Sequence, residues 1–179
     1  MGNNWKITDT LTKVFAEEVP DGQGSIRLST LHRETVSCVI AYFGTADWGR
    51  YWKVSVKAPE KIETRLRRVE LVPSAYPCHK EQDDNYLRIV PGMYPDLLRD
   101  LDTEDDGADK KYLTKEVPGQ WRSLWLDVTV DVELAGGDYA IVIEAETEDG
   151  EKETLKADLH VVDASLPPQK LLHTEWFHS

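Results

Sequence analysis

A chain of 179 residues is long enough for one domain with its own core, and its 21 Lys and Arg against 33 Asp and Glu give a formal charge of −12. A domain of this size buries roughly two thirds or more of its unfolded surface, so neither a metal nor a disulfide staple is required. The acidic balance excludes nucleic acid and anionic membrane as expected partners, because neutralising phosphates takes basic side chains gathered on one face.

The amino terminus, MGNNWKITDTL, has no positive start followed by an apolar core. No run of about eighteen apolar residues occurs either. Both point to a cytoplasmic chain, and Lys6 in place of Ser or Thr takes Met1-Gly2 out of the myristoylation pattern. In chain order, SIRLSTL near residue 25 is a weak strand. ETVSCVIAYFG is apolar on both phases from Val36 to Phe43, as in a central strand covered on both faces, and Gly44 to Gly49 supplies a loop. RYWKVSVKAP follows as a strand with Trp52, Val54, Val56 and Ala58 inward. In IETRLRRVELVP the apolar phase shifts from Ile62 and Leu66 to Val69 and Leu71, which predicts a bulge or bend.

PGMYPDLLRDLD is the one stretch with room for a helical turn, kept short by Pro91 and Pro95. The acidic run from Asp100 to Lys111 reads as a solvated loop. RSLWLDVTVDVEL alternates cleanly: Leu124, Leu126, Val128, Val130, Val132 and Leu134 fall on one face, with Trp125, Asp127, Thr129, Asp131 and Glu133 on the other. The clearest hairpin comes next, with Tyr139, Ile141, Ile143 and Ala145 answered by Leu155, Ala157, Leu159 and Val161 across a turn at Asp149-Gly150. Many short strands with turn signals between them and almost no helix predict an all-β antiparallel sandwich, immunoglobulin-like or jelly-roll-like.

No self-contained catalytic constellation emerges. On EF-hand spacing, Asp102, Glu104 and Asp106 take the first, third and fifth places and Gly107 the sixth, but the twelfth is Leu113, which supplies no carboxylate. An irregular surface calcium site is the lesser alternative there. His79 beside Cys78 lacks a third ligand and reads as a loop histidine, no Ser sits in a Gly-x-Ser-x-Gly elbow, and PDGQG lacks the Lys of a phosphate loop. Neither a metal nor a cofactor is expected. Cys38 lies in an apolar run and Cys78 in a loop, so both are expected as free thiols. The remaining candidates are aromatic: Trp48 in the GTADWGR loop, and Trp121 and Trp125 on the phase opposite the core leucines and valines. Flat aromatics there either stack on a sugar or a partner domain, or are covered by a loop or by the amino-terminal segment around Trp5.

Four segments carry a resemblance: YLRIVPGMYPDLL, PGQWRSLWLDVTV, AGGDYAIVIEA and the terminal LPPQKLLHTEWFH. In this order and spacing the chain resembles the N-terminal β-sandwich domain of a bacterial family of glycoside hydrolases of otherwise unknown function. In that family the sandwich precedes a TIM-barrel catalytic domain, in a layout related to exo-β-N-acetylgalactosaminidases. The resemblance is best from Tyr86 to His178. It implies a sandwich over residues 1–165, an interdomain linker over 166–170 stiffened by Pro167 and Pro168, and the first strand of a barrel over 171–179. It also implies a noncatalytic accessory role, with the barrel of the same parent chain as partner and carbohydrate as a second one. The two carboxyl groups of glycoside cleavage would stand at barrel strand ends beyond Ser179. Glu175 and Trp176 are then structural or substrate-contacting residues, alongside Trp48, Trp121 and Trp125. Two other readings stand beside this one: a free-standing carbohydrate-binding module using those tryptophans, and a protein-binding immunoglobulin-like module.

Overall fold

A computed structural model describes residues 4–45, 50–76, 78, 86–105, 110–168 and 170. Eleven strands run in chain order: β1 Trp5–Thr8, β2 Ser25–His32, β3 Thr35–Phe43, β4 Tyr51–Lys57, β5 Ile62–Ser74, β6 Gly92–Asp100, β7 Thr103–Asp105, β8 Lys110–Lys115, β9 Trp121–Val130, β10 Gly137–Thr147 and β11 Lys152–Ser165. They form a five-stranded sheet in the order β1-β3-β9-β5-β6 and a six-stranded sheet in the order β2-β11-β10-β4-β8-β7. The ladders between neighbours are antiparallel except β2 on β11, which is parallel. The chain is thus an all-β sandwich, and no helix occurs among the described residues.

Period-two alternation builds the core. Leu124, Leu126, Val128 and Val130 of β9 meet Ile141, Ile143 and Ala145 of β10 and Leu155, Ala157, Leu159 and Val161 of β11, all essentially buried. At one end Trp5 of β1 stacks on Tyr42 of β3 and meets Trp52 of β4 edge-on, with both ring centroids 5.0 Å away. Trp5 is therefore a core residue and does not shield the outer tryptophans. The six-stranded sheet keeps its other face wet and ion-paired, with Lys57 to Glu144 at 2.6 Å, Lys53 to Glu104 at 2.9 Å and Lys152 to Glu146 at 3.1 Å.

Several expectations change. PGMYPDLLRDLD is not a helical turn: it is β6, an edge strand, where proline's missing N–H is tolerated. The bulge expected in β5 is present on one side only, since its pairing with β9 runs unbroken from Ile62 to Val69. The irregularity lies on the other side of β5, where Glu70 pairs with Leu97 and Leu71 with Pro95, leaving Asp96 of β6 as the extra residue. Strand β9 stops at Val130, short of Val132 and Leu134. The weak strand near residue 25 is β2, and the acidic run contains the short strand β7. The hairpin of β10 and β11 has the expected register, with Ile143 opposite Leu155 and Ile141 opposite Ala157.

Gly44 is fixed by contact rather than by flexibility. A Cβ there would lie 2.2 Å from the carbonyl oxygen of Val117, so only glycine lets these two backbones meet. Beside it the buried carboxyl of Glu116, only 1% exposed, accepts the indole N–H of Trp52 at 2.6 Å and the Thr45 N–H at 3.2 Å. Both cysteines are free, and burial, with Asp127 adding to it, pushes the Cys38 thiol up to about 12.

Candidate functional site

The outer face of the five-stranded sheet is where the sequence-predicted aromatics gather. Alternation along β3 and β9 sends Val39, Ala41 and Phe43 outward beside Trp121 and Trp125. A sheet face with this much apolar surface needs a cover. It is provided by the segment joining β1 to β2, in which Val14 and Phe15 are buried. Val14 packs into the aromatic cluster, and Trp121 is only 6% exposed.

Local chemistry holds this strap in place. The Asp9 carboxylate accepts the N–H groups of Leu11 at 2.9 Å and Thr12 at 3.0 Å, turning the chain back over the sheet. The Trp121 N–H donates to the Ala16 carbonyl at 2.8 Å. Phe15 meets Tyr94 of β6 edge-on at 5.8 Å, and the Arg88 guanidinium lies 3.7 Å from the Phe15 ring centroid. Arg88 also pairs with Glu17 at 2.6 Å and with Glu18. Lys6 donates to the Pro20 carbonyl at 2.9 Å and stands over Trp121.

Below the strap the same face turns polar around Asp127. Its carboxylate accepts Ser37 Oγ–H at 2.7 Å, the Trp125 indole N–H at 2.7 Å and the Arg67 guanidinium. Burial alone would raise the pKa of this carboxyl, but the bonds from Ser37, Trp125 and Arg67 outweigh burial and hold it below its ordinary value. Trp125 is thereby fixed by its polar edge, while its ring surface stays half-buried beside the strap. Alternation made Trp121 and Trp125 visible in the sequence. The strap carries no such period, and only the pair Val14-Phe15 in a polar stretch signalled that it would be buried.

Trp121 and Trp125 are brought together; Trp48, Glu175 and Trp176 lie outside the described residues, as does His79. Among the described residues no three His, Cys, Asp or Glu side chains converge as a metal site. At the strap's far side the chain leading into β6 exposes Tyr86, Leu87, Ile89 and Val90, and β6 continues the band with Met93 and Leu97. Tyr94 ties this segment to the strand by donating its hydroxyl to the carbonyls of Val90 and Arg88.

No protein-family model matches the chain, and no curated protein matches its sequence. Among solved structures, a family 123 glycoside hydrolase from Clostridium perfringens, described in a study of glycolipid glycan hydrolysis, is similar over 91% of this chain with a TM-score of 0.62 at 10% identity. This chain spans only 28% of that one. The N-terminal domain of PorA aligns over 90% of this chain and 99% of its own, with 8% identity and a TM-score of 0.43. The collagen-binding subdomain of the Enterococcus faecalis surface protein ACE aligns over 76% and 93%, with 5% identity and a TM-score of 0.43. At these identities the likeness to the glycoside hydrolase is one of fold, a β-sandwich shared with part of a longer chain.

Proposed function

We propose that this chain is a noncatalytic accessory β-sandwich of a carbohydrate-active enzyme, packing against a TIM-barrel catalytic domain of the same parent chain. The observation that carries the reading is the exposed apolar band from Tyr86 to Leu97, in which Leu87 is 75% exposed. Large apolar side chains exposed in such number along one segment mark an interface. The sandwich shared with part of a longer glycoside hydrolase supports the choice of partner. In this reading residues 166–170 are the linker, and Glu175 and Trp176 belong to the first strand of the barrel.

The geometry constrains how the two domains meet. Strand β11 ends at Ser165, where the Leu166 N–H bonds the His32 carbonyl at 2.9 Å. The band begins at the opposite end of the sandwich, since β6 runs from Gly92 beside Ser74 down to Asp100 beside Arg67. Five linker residues reach at most about 17 Å, whereas a nine-residue strand is about 30 Å long. A barrel that touches both the linker and the band must therefore lie along the flank of the sandwich.

The test is to assay the isolated 179 residues and the parent polypeptide on aryl glycosides, and to introduce Leu87→Asp with Val90→Asp in the parent. The expected result is turnover by the parent alone, with the double variant separating the domains in limited proteolysis. Turnover by the isolated chain above a mock purification, or a parent gene without a following catalytic domain, overturns the reading.

A further inference from the structure

Between the strap and the sheet lies a cleft of about 190 Å³, below the roughly 300 Å³ at which sites for drug-sized ligands begin and suited to a single ring. Its walls and floor include Val14, Val39, Val69, Leu98 and Trp125, and its rim carries Lys13 and Asp96. Thr10, Thr12 and Ser123 add hydroxyl groups. We propose that this cleft binds a neutral pyranose ring of a short glycan, with Trp125 supplying apolar ring surface and Asp96 and Lys13 the hydrogen bonds.

Two features of the rim bear on the chemistry a ligand would need. Asp96 is the extra residue of the β6 bulge, and bulges re-aim side chains at sites. Pro95 and Asp96, on either side of the register break, both line the cleft. Asp96 and Lys13 are both exposed and make no ion pair among the described residues, so both heads are open to a ligand in the cleft. An anionic ligand would meet the Asp96 carboxylate, a cationic one the Lys13 ammonium, and a purely apolar one would strip water from both without replacing its hydrogen bonds. A sugar satisfies all three constraints, because one ring face is apolar C–H surface and its rim is made of hydroxyls that both donate and accept.

The walls are preformed, anchored by the Asp9 turn on one side and by the bond from the Trp121 N–H to Ala16 on the other, which lowers the ordering cost of binding. Lys13, Pro95 and Asp96 also line a second hollow beside Phe15, Tyr86 and Tyr94, so the cleft lies next to the packing surface without being part of it. This inference does not rest on a following catalytic domain.

The test is saturation-transfer NMR and titration calorimetry on the intact chain with methyl pyranosides and disaccharides of the gluco, galacto and 2-acetamido series. Asp96→Ala and Lys13→Ala serve as rim variants, Trp125→Ala as the floor variant, and circular dichroism confirms the fold of each. The expected result is binding of at least one sugar near or below about 1 mM, weakened at least about tenfold in Asp96→Ala. No sugar binding to the wild type overturns the proposal, as does binding unchanged in both Asp96→Ala and Trp125→Ala, or equal binding of a carboxylate or amine control. Loss of sugar binding without domain separation in the parent distinguishes this site from the packing surface.

Discussion

Asp127 shows how one half-buried carboxyl sets part of the pH response of the whole chain. Its pKa lies below the ordinary 3.8, because the bonds from Ser37, Trp125 and Arg67 favour the charged form by more than burial opposes it. A carboxyl of this kind contributes stability that is present above its unfolded value and is lost as pH falls through the folded one. Asp127→Asn should therefore lower stability at neutral pH by about 1 to 2 kcal/mol, and the difference from the wild type should shrink as the pH is taken below 3.8. Denaturant unfolding of both proteins across that range measures it, and a gap that stays constant into strong acid would exclude Asp127 as the titrating group. Alternation along RSLWLDVTV placed Asp127 and Trp125 together on the outer face from sequence alone. Their partners Ser37 and Arg67 sit on β3 and β5, opposite Asp127 and Trp125, and strand order across a sheet is a long-range choice that no local pattern encodes.

At the scale of elements, the inner half of the sandwich was legible because each strand buries one face and repeats with period two. The outer cover was not, since the strap has neither period nor regular hydrogen bonding and its burial depends on the sheet it meets. In β5, Val69 points outward and lines the cleft under the strap, so the apolar phase shift reports a second buried layer there as well as the register break against β6 between Glu70 and Leu71. The strand β6 was hidden by Pro95 and by the Leu97-Leu98 doublet, which an edge position and a bulge accommodate. If the strap is a structural layer, Phe15→Ala should cost about 3 to 5 kcal/mol, since it removes the buried ring between Tyr94 and Arg88. Hydrogen exchange should show the Trp121 amide losing protection in that variant, because its acceptor is Ala16 of the strap. Unchanged protection there would mean that the strap is held without Phe15.

The whole molecule sets a strong negative charge against one apolar band. A net charge of −12 keeps copies apart at low ionic strength through repulsion that extends about one Debye length, roughly 10 Å in 0.1 M salt. The band at Tyr86 to Leu97 pulls the other way, and its own cation is already spent, since Arg88 is paired with Glu17 and Glu18. Raising the salt screens the repulsion and leaves the hydrophobic attraction intact, so the isolated sandwich should be monomeric in dilute buffer and self-associate progressively as salt is added. Leu87→Asp with Val90→Asp should abolish that association without lowering the melting temperature, because both side chains are exposed in the monomer and make no core contact. Sedimentation velocity across a salt series measures the first effect and thermal unfolding the second. Association that persists in the double variant would place the sticky surface elsewhere, with the free edge of β2 as the next surface to substitute.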